Sequence, residues 1–220
     1  DTAHFLLNRT PKLNLYAETG GKNATIVTAL ADREQAITNV VQSAFGNSGQ
    51  KCSATSLLIL EEEIYNNNSF KELLKDAIES KTHGNPWNFK TDIGPLAVKI
   101  SDKIKKSIEG TPDEKWLVKP IIQNDFFVSP GIKWGISMND FEYQNELFGP
   151  ILSVMKAKNL NEAITIANNT SFGLTSGIES LDPNEVDYWL QHIEAGNLYA
   201  NKSTTGAIVQ RQPLEGKRAS

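Results

Sequence analysis

Short apolar runs alternate with amphipathic helical patterns along most of this chain, and that alternation constrains the fold more than any single motif. Residues 56–60 (SLLIL), 151–157 (ILSVMKA), 173–180 (GLTSGIES) and 196–201 (GNLYAN) read as strands bounded by turn residues. Between them, Ile37, Val40, Val41, Ala44 and Phe45 recur at i, i+3, i+4, i+7 and i+8, one apolar face of a helix beginning near Asp32. Asp32 is placed to cap it, with Gln35 at the capping-box position. Further helical faces are Phe70, Leu73, Leu74, Ala77 and Ile78, then Ile100, Ile104 and Ile108, then Leu160, Ala163, Ile164 and Ala167, and finally Val186, Trp189, Leu190 and Ile193. Strands joined through helices cross over in parallel, so the expected class is α/β: an open, mostly parallel sheet with helices on both faces. Residues 110–150, punctuated by Pro112, Pro120, Pro130 and Pro150, read as irregular connections and edge strands. In such sheets ligands gather outside the carboxyl ends of strands, which directs attention to loops 46–54, 143–150 and 201–213.

The charge balance narrows the function classes. With 22 basic and 26 acidic residues the net charge is -4, and no basic stripe interleaved with aromatics is present, so nucleic acid is not the expected ligand. Lys103, Lys105 and Lys106 fall in a helical pattern and read as a solvated face. No run approaches the roughly 18–20 apolar residues that span a bilayer, and residues 1–10 lack the regions of a signal peptide. One cysteine in 220 residues cannot form an internal disulfide, which fits a reducing cytoplasm. His4, His83 and His192 are scattered without ligand spacing, so no metal site is expected.

That cysteine, Cys52, lies in GNSGQKCSA (46–54), between the first helical face and a strand. Small neighbours let main-chain N–H groups and a substrate approach a thiolate, although a lone cysteine is more often an inert buried hydrophobe. Glu18 stands in AETGGKNA just before Gly20 and Gly21. It reads either as a general base beside a close backbone approach or as a solvent-facing loop carboxylate. The glycine pair is no phosphate fingerprint, since GxGxxG and GxxxxGK[ST] are both absent.

AETGGKNA, SAFGNSGQKCSA, NELFGPILSV, SFGLTSGI and GNLYANKSTTGAIVQRQP follow one another in an order and spacing that resembles the aldehyde dehydrogenase superfamily, over roughly residues 15–213. ETGG, CSA and STTGAIV are similar to the branch that oxidises L-glutamate γ-semialdehyde, and within it to the dehydrogenase portion of proline utilisation A proteins. The resemblance implies an NAD-dependent enzyme, with NADP as the alternative. In it Cys52 attacks the aldehyde and Glu18 activates the water that hydrolyses the thioester. It implies that Glu146 holds the nicotinamide ribose, that Phe148 packs near the cofactor, and that Thr19 offers a carbonyl to the carboxamide. Ser53, Gly206 and Ala207 match the anchor for the substrate's α-carboxylate. Pro213, Leu214, Glu215 and Gly216 depart from the family's Pro-Phe-Gly-Gly, which puts the aromatic wall near the substrate in question.

The resemblance further implies that residues 1–16 are the end of a nucleotide-binding domain, and that residues 17–220 form the thiol-bearing catalytic domain without the family's C-terminal tail. The main cofactor-binding domain then lies outside this chain, and the isolated piece is expected to be nearly inactive. The implied partners are a small-molecule aldehyde and further copies of the parent, which is either separate from or fused to a proline dehydrogenase domain. Rival readings are another aldehyde specificity, a cofactor-independent cysteine acyl transferase or hydrolase, and a non-catalytic association domain.

Overall fold

The computed structural model describes residues 2–15, 19–207 and 215–220. Its first helix, α1 (Thr2–Arg9), buries none of its residues. Strands β1 (Asn23–Val27) and β2 (Thr55–Glu61) are joined by α2 (Arg33–Phe45) and followed by α3 (Glu62–Tyr65), α4 (Asn68–Glu79) and α5 (Asp102–Glu109). Next come β3 (Trp116–Val118), β4 (Ile122–Asn124), β5 (Phe127–Val128), β6 (Gly131–Trp134) and α6 (Phe141–Gln144). The remainder is β7 (Ile151–Ala157), α7 (Leu160–Asn168), β8 (Phe172–Gly173), β9 (Thr175–Glu179), α8 (Pro183–His192), β10 (Asn197–Ala200) and β11 (Lys217–Arg218).

Seven strands form the main sheet in the order β10-β9-β1-β2-β7-β6-β3. All neighbours are parallel except β3, which pairs antiparallel with β6 at one edge. The expected α/β class is therefore the observed one. Because side chains alternate across a strand, β2 divides its apolar run between two cores. Leu58 and Leu60 meet α2 and α4, whereas Leu57 and Ile59 meet α7 and α8. All four are fully buried, and each contributes about 2 kcal/mol of burial energy. Asp32 caps α2 as expected, accepting from the Gln35 N–H at 3.0 Å. The Gln35 side chain turns to Asn39 Oδ1 instead of back to the cap, so only half of a capping box forms.

Three features differ from the sequence-based picture. Strand β1 lies inside the sheet between β9 and β2, where the sequence pattern marks no strand, since Asn and Ala are poor strand formers. Strand β6 is an inner strand, not an irregular connection or an edge; Gly131 permits it, since a Cβ there would fall 2.7 Å from the Pro120 ring. Leu73 and Leu190 complete helical faces in the sequence but are about half exposed, because the cores stop short of them.

Candidate active site

The reversal after α2 delivers the thiol. Asn47, Ser48 and Gly49 adopt φ of 54°, 56° and 69°, three successive left-handed residues that turn the helix end back toward β2. Ser48 Oγ fixes the turn by donating to Gly94 O at 2.8 Å. Gly49 is required twice over: its φ disfavours a side chain, and a Cβ would lie 2.3 Å from the Gly149 carbonyl oxygen. Gly49→Ala is expected to cost about 2–4 kcal/mol, from left-handed strain plus a backbone clash that no rotamer relieves. Thermal unfolding should show Tm lower by roughly 5–15 °C; an unchanged Tm would mean that the two loops do not meet.

Cys52 follows on the next turn and is half-buried. Its carbonyl accepts from Asn23 Nδ2 at 2.7 Å, and the same nitrogen donates to Ala54 O at 2.9 Å. Ser53 is buried, and its carbonyl accepts from Thr204 Oγ1 at 3.0 Å. Thr204 belongs to the 201–207 loop that carries Gly206 and Ala207, so thiol loop and expected anchor loop are directly bonded. Thr204 Oγ1 also meets Thr55 Oγ1 at 3.1 Å, and Thr55 meets Thr25 at 2.8 Å, a ladder of hydroxyls across the strand starts.

Glu146 comes up against the glycine pair. The Gly21 N–H donates to Glu146 Oε1 at 3.0 Å. A Cβ on Gly20 would lie 2.3 Å from Glu146 Oε2, and one on Gly21 would lie 2.6 Å from Cys52 O. Gly21 is thus wedged between the Glu146 carboxylate and the thiol-loop backbone, with no room for a side chain, while at Gly20 a Cβ would displace the Glu146 carboxylate. Burial pushes the Glu146 carboxyl up, while the Gly21 N–H and the Lys22 charge pull it down. Lys22 itself is enclosed and is pushed down to about 8 by burial, which Glu142 and Glu146 only partly offset. Phe148, with φ of 54° and about half exposed, lines an open groove with Asn47, Ser48, Gln50 and Leu96.

The structure therefore brings Cys52, Ser53 and Glu146 together around Gly20 and Gly21. Gly206 is half-buried, where a Cβ would make ordinary contacts with Lys202 and Ser203, and Ala207 is exposed. Thr19 hydrogen-bonds through its hydroxyl to Ala219 O. Glu18 lies outside the described residues, as do Pro213 and Leu214. Glu215 is exposed, and its carbonyl accepts from Asn197 Nδ2 at 2.9 Å. Among the described residues no group of His, Cys, Asp and Glu could hold a metal ion, and no helix is long and apolar enough to cross a membrane.

One positional expectation is overturned. Loops 46–54 and 143–150 enter the amino ends of β2 and β7, not the carboxyl ends of strands. Only the 201–207 loop leaves a carboxyl end, that of β10, and it folds back until Thr204 reaches Thr55 at the start of β2. The switch-point rule describes loops leaving strands toward helices. Here the tight reversal after α2, a helix-to-strand connection, carries the thiol. Sequence reasoning also passed over Lys22, Asn23 and Thr204. Their signal was the polar, strand-initiating run KNAT and the STT preceding Gly206, both buried despite their polarity.

Comparison with known proteins points to one family. Residues 8–220 match the model of the aldehyde dehydrogenase family. A 1-pyrroline-5-carboxylate dehydrogenase of Bacillus pumilus is 36% identical over 208 residues, covering 93% of this chain and 40% of that protein. The structure of Proline Utilization A from Corynebacterium freiburgense superposes with a TM-score of 0.91 at 40% identity, over 99% of this chain and 23% of that one. The NAD-bound structure of a Thermus 1-pyrroline-5-carboxylate dehydrogenase gives a TM-score of 0.81 at 33% identity, over 92% and 40% of the two chains. This chain spans about 40% of the length of the curated relatives it matches.

Proposed function

Because the chain belongs to the aldehyde dehydrogenase family, we propose that it forms the thiol-bearing part of an NAD-dependent dehydrogenase that oxidises L-glutamate γ-semialdehyde to L-glutamate in proline breakdown. The observation that supports this reading is Gly21 wedged between the Glu146 carboxylate and the Cys52 loop, consistent with a ribose-holding carboxylate near the nucleophile.

In this reading the Cys52 thiolate adds to the aldehyde carbon, forming a C–S bond and a thiohemiacetal oxyanion. Loss of hydride from that carbon leaves a thioester on Cys52. Glu18 then takes a proton from water as the water attacks the thioester, and the thiolate departs with glutamate released. The Ser53 hydroxyl and the N–H groups of Gly206 and Ala207 hold the α-carboxylate, an anion well served by converging donors.

The residues present fit a nicotinamide cofactor. Among the described residues Glu146 Oε1 is held by Gly21, while Oε2 has no hydrogen-bond donor and is free to accept from a ribose hydroxyl. Glu146, Phe148 and the Thr19 carbonyl are the groups that would hold it, with NAD favoured over NADP by the NAD-bound Thermus relative. When bound, the nicotinamide supplies the hydride acceptor.

We further propose that residues 1–16 are the end of a nucleotide-binding domain and 17–220 the catalytic domain, a division supported by the absence of buried residues in α1. The likeness to Proline Utilization A supports a parent with a fused proline dehydrogenase domain; a homo-oligomer, and a cytoplasm that keeps the single cysteine reduced, complete the proposal. The full-length protein should form NADH with glutamate γ-semialdehyde at a kcat/KM about 100-fold above that with butanal, which lacks the carboxylate and its charged hydrogen bonds. Equal values for the two aldehydes would sink the assignment of the anchor.

A further inference from the structure

Resting on the reading of Cys52 as the nucleophile, we infer that Asn23 is a positioning residue for the thiol: its carboxamide replaces the sheet's own hydrogen bonds at the point where β1 and β2 fall out of register. Asn23 pairs with Thr55 but Ala24 with Leu57, so the ladder skips Ser56 just after the thiol loop. A register slip of this kind leaves backbone groups unpaired and frees the strand end to move. The Asn23 side chain, 2% exposed, fills the gap. Nδ2 donates to Cys52 O at 2.7 Å and to Ala54 O at 2.9 Å, and Oδ1 accepts from the Thr175 N–H at 3.0 Å.

Both donors and the acceptor are thereby used, and each bond runs to main chain. The two carbonyls bracket Ser53, whose own carbonyl is held from the other side by Thr204. Lys51 O accepts from the Ala54 N–H at 3.0 Å. Four successive carbonyls, 51 to 54, are therefore tied. Since a peptide is planar, holding the Cys52 carbonyl holds the peptide that follows it, and so restrains ψ of Cys52 and the direction of the Cα–Cβ bond that carries Sγ. Gly21 makes room for the clamp, because a Cβ there would lie 2.6 Å from Cys52 O and 2.7 Å from Asn23 Oδ1. The link to Thr175 adds β9 to the assembly, so three adjacent strands hold one loop.

Asn197 provides a matched control. It too is buried at the start of a strand, and its Nδ2 also bridges two carbonyls, Leu174 O and Glu215 O, but neither belongs to the thiol loop. In the full-length protein, Asn23→Ala should lower kcat for aldehyde oxidation about 100-fold, the effect of an ångström-scale misplacement, with KM within about threefold. Iodoacetamide alkylation of Cys52, followed by mass spectrometry without cofactor or substrate, should rise at least roughly threefold as the half-buried thiol is released. Asn197→Ala should change neither, whatever its Tm. Asn23→Ser, which keeps one donor, should fall between and takes the place of the alanine variant should that fail to fold. Asn23 variants that behave like Asn197→Ala in either measurement overturn the inference. If the wild-type protein oxidises no aldehyde, the dehydrogenase reading fails by itself and the alkylation comparison alone decides the role of Asn23.

Discussion

Cys52→Ser in the full-length protein is expected to lower NAD-dependent aldehyde oxidation by at least about 10⁴-fold, equivalent to about 5.5 kcal/mol of barrier. A serine hydroxyl stays protonated near neutral pH, whereas a thiol yields enough thiolate to attack a carbonyl. The substitution exchanges sulfur for oxygen at a half-buried turn position, and the ties around it run to the Cys52 and Ala54 carbonyls, which serine retains. Fold and Tm should therefore be unchanged while turnover disappears. Activity above about 1% of wild type, on the same rate scale, would show that the thiol is not the nucleophile. Of the rival readings, a non-catalytic association domain makes that opposite forecast.

Glu18→Gln should separate the two halves of the reaction. Glutamine keeps the size of the side chain but takes no proton, so acylation and hydride loss proceed while hydrolysis of the thioester slows by about 10²–10⁴-fold. Rapid mixing should then show a burst of one NADH per active site followed by a slow steady state. Intact mass measurement should find the glutamyl group on Cys52. Glu18 adjoins Thr19 and the glycine pair, and the carbonyl of Cys52 comes so close to Gly21 that no Cβ fits between them. Loss of the burst together with the steady state would assign Glu18 to activation of the thiol and refute the role in hydrolysis.

The fold class was legible because burial imposes periodicity. The face from Ile37 to Phe45 and the run 56–60 each repeat at the spacing of their own backbone, and α2 and β2 appear where those spacings place them. Residues 23–27 were not legible as a strand. At the centre of a sheet both faces are covered, so no polar alternation marks the strand, and Asn23 and Thr25 serve partners distant in sequence. The inner position of β6 was hidden for a related reason, since prolines flank it and its pairing with β7 is made across 20 residues of chain.

By itself the sequence determined the family and the candidates for its chemistry: one thiol among small residues, a carboxylate before paired glycines, and motifs whose order places the chain in its family. These are properties of residue type and local spacing, which survive without coordinates. Only the tertiary structure decided where the site lies and what holds it. It put the thiol loop at the amino end of β2, brought Glu146 against Gly21 from 125 residues away, and set Asn23 and Thr204 on the carbonyls of the thiol loop. Contacts of that kind depend on strand order and register, which arise when separate apolar faces are buried together, and no local pattern in the chain encodes them.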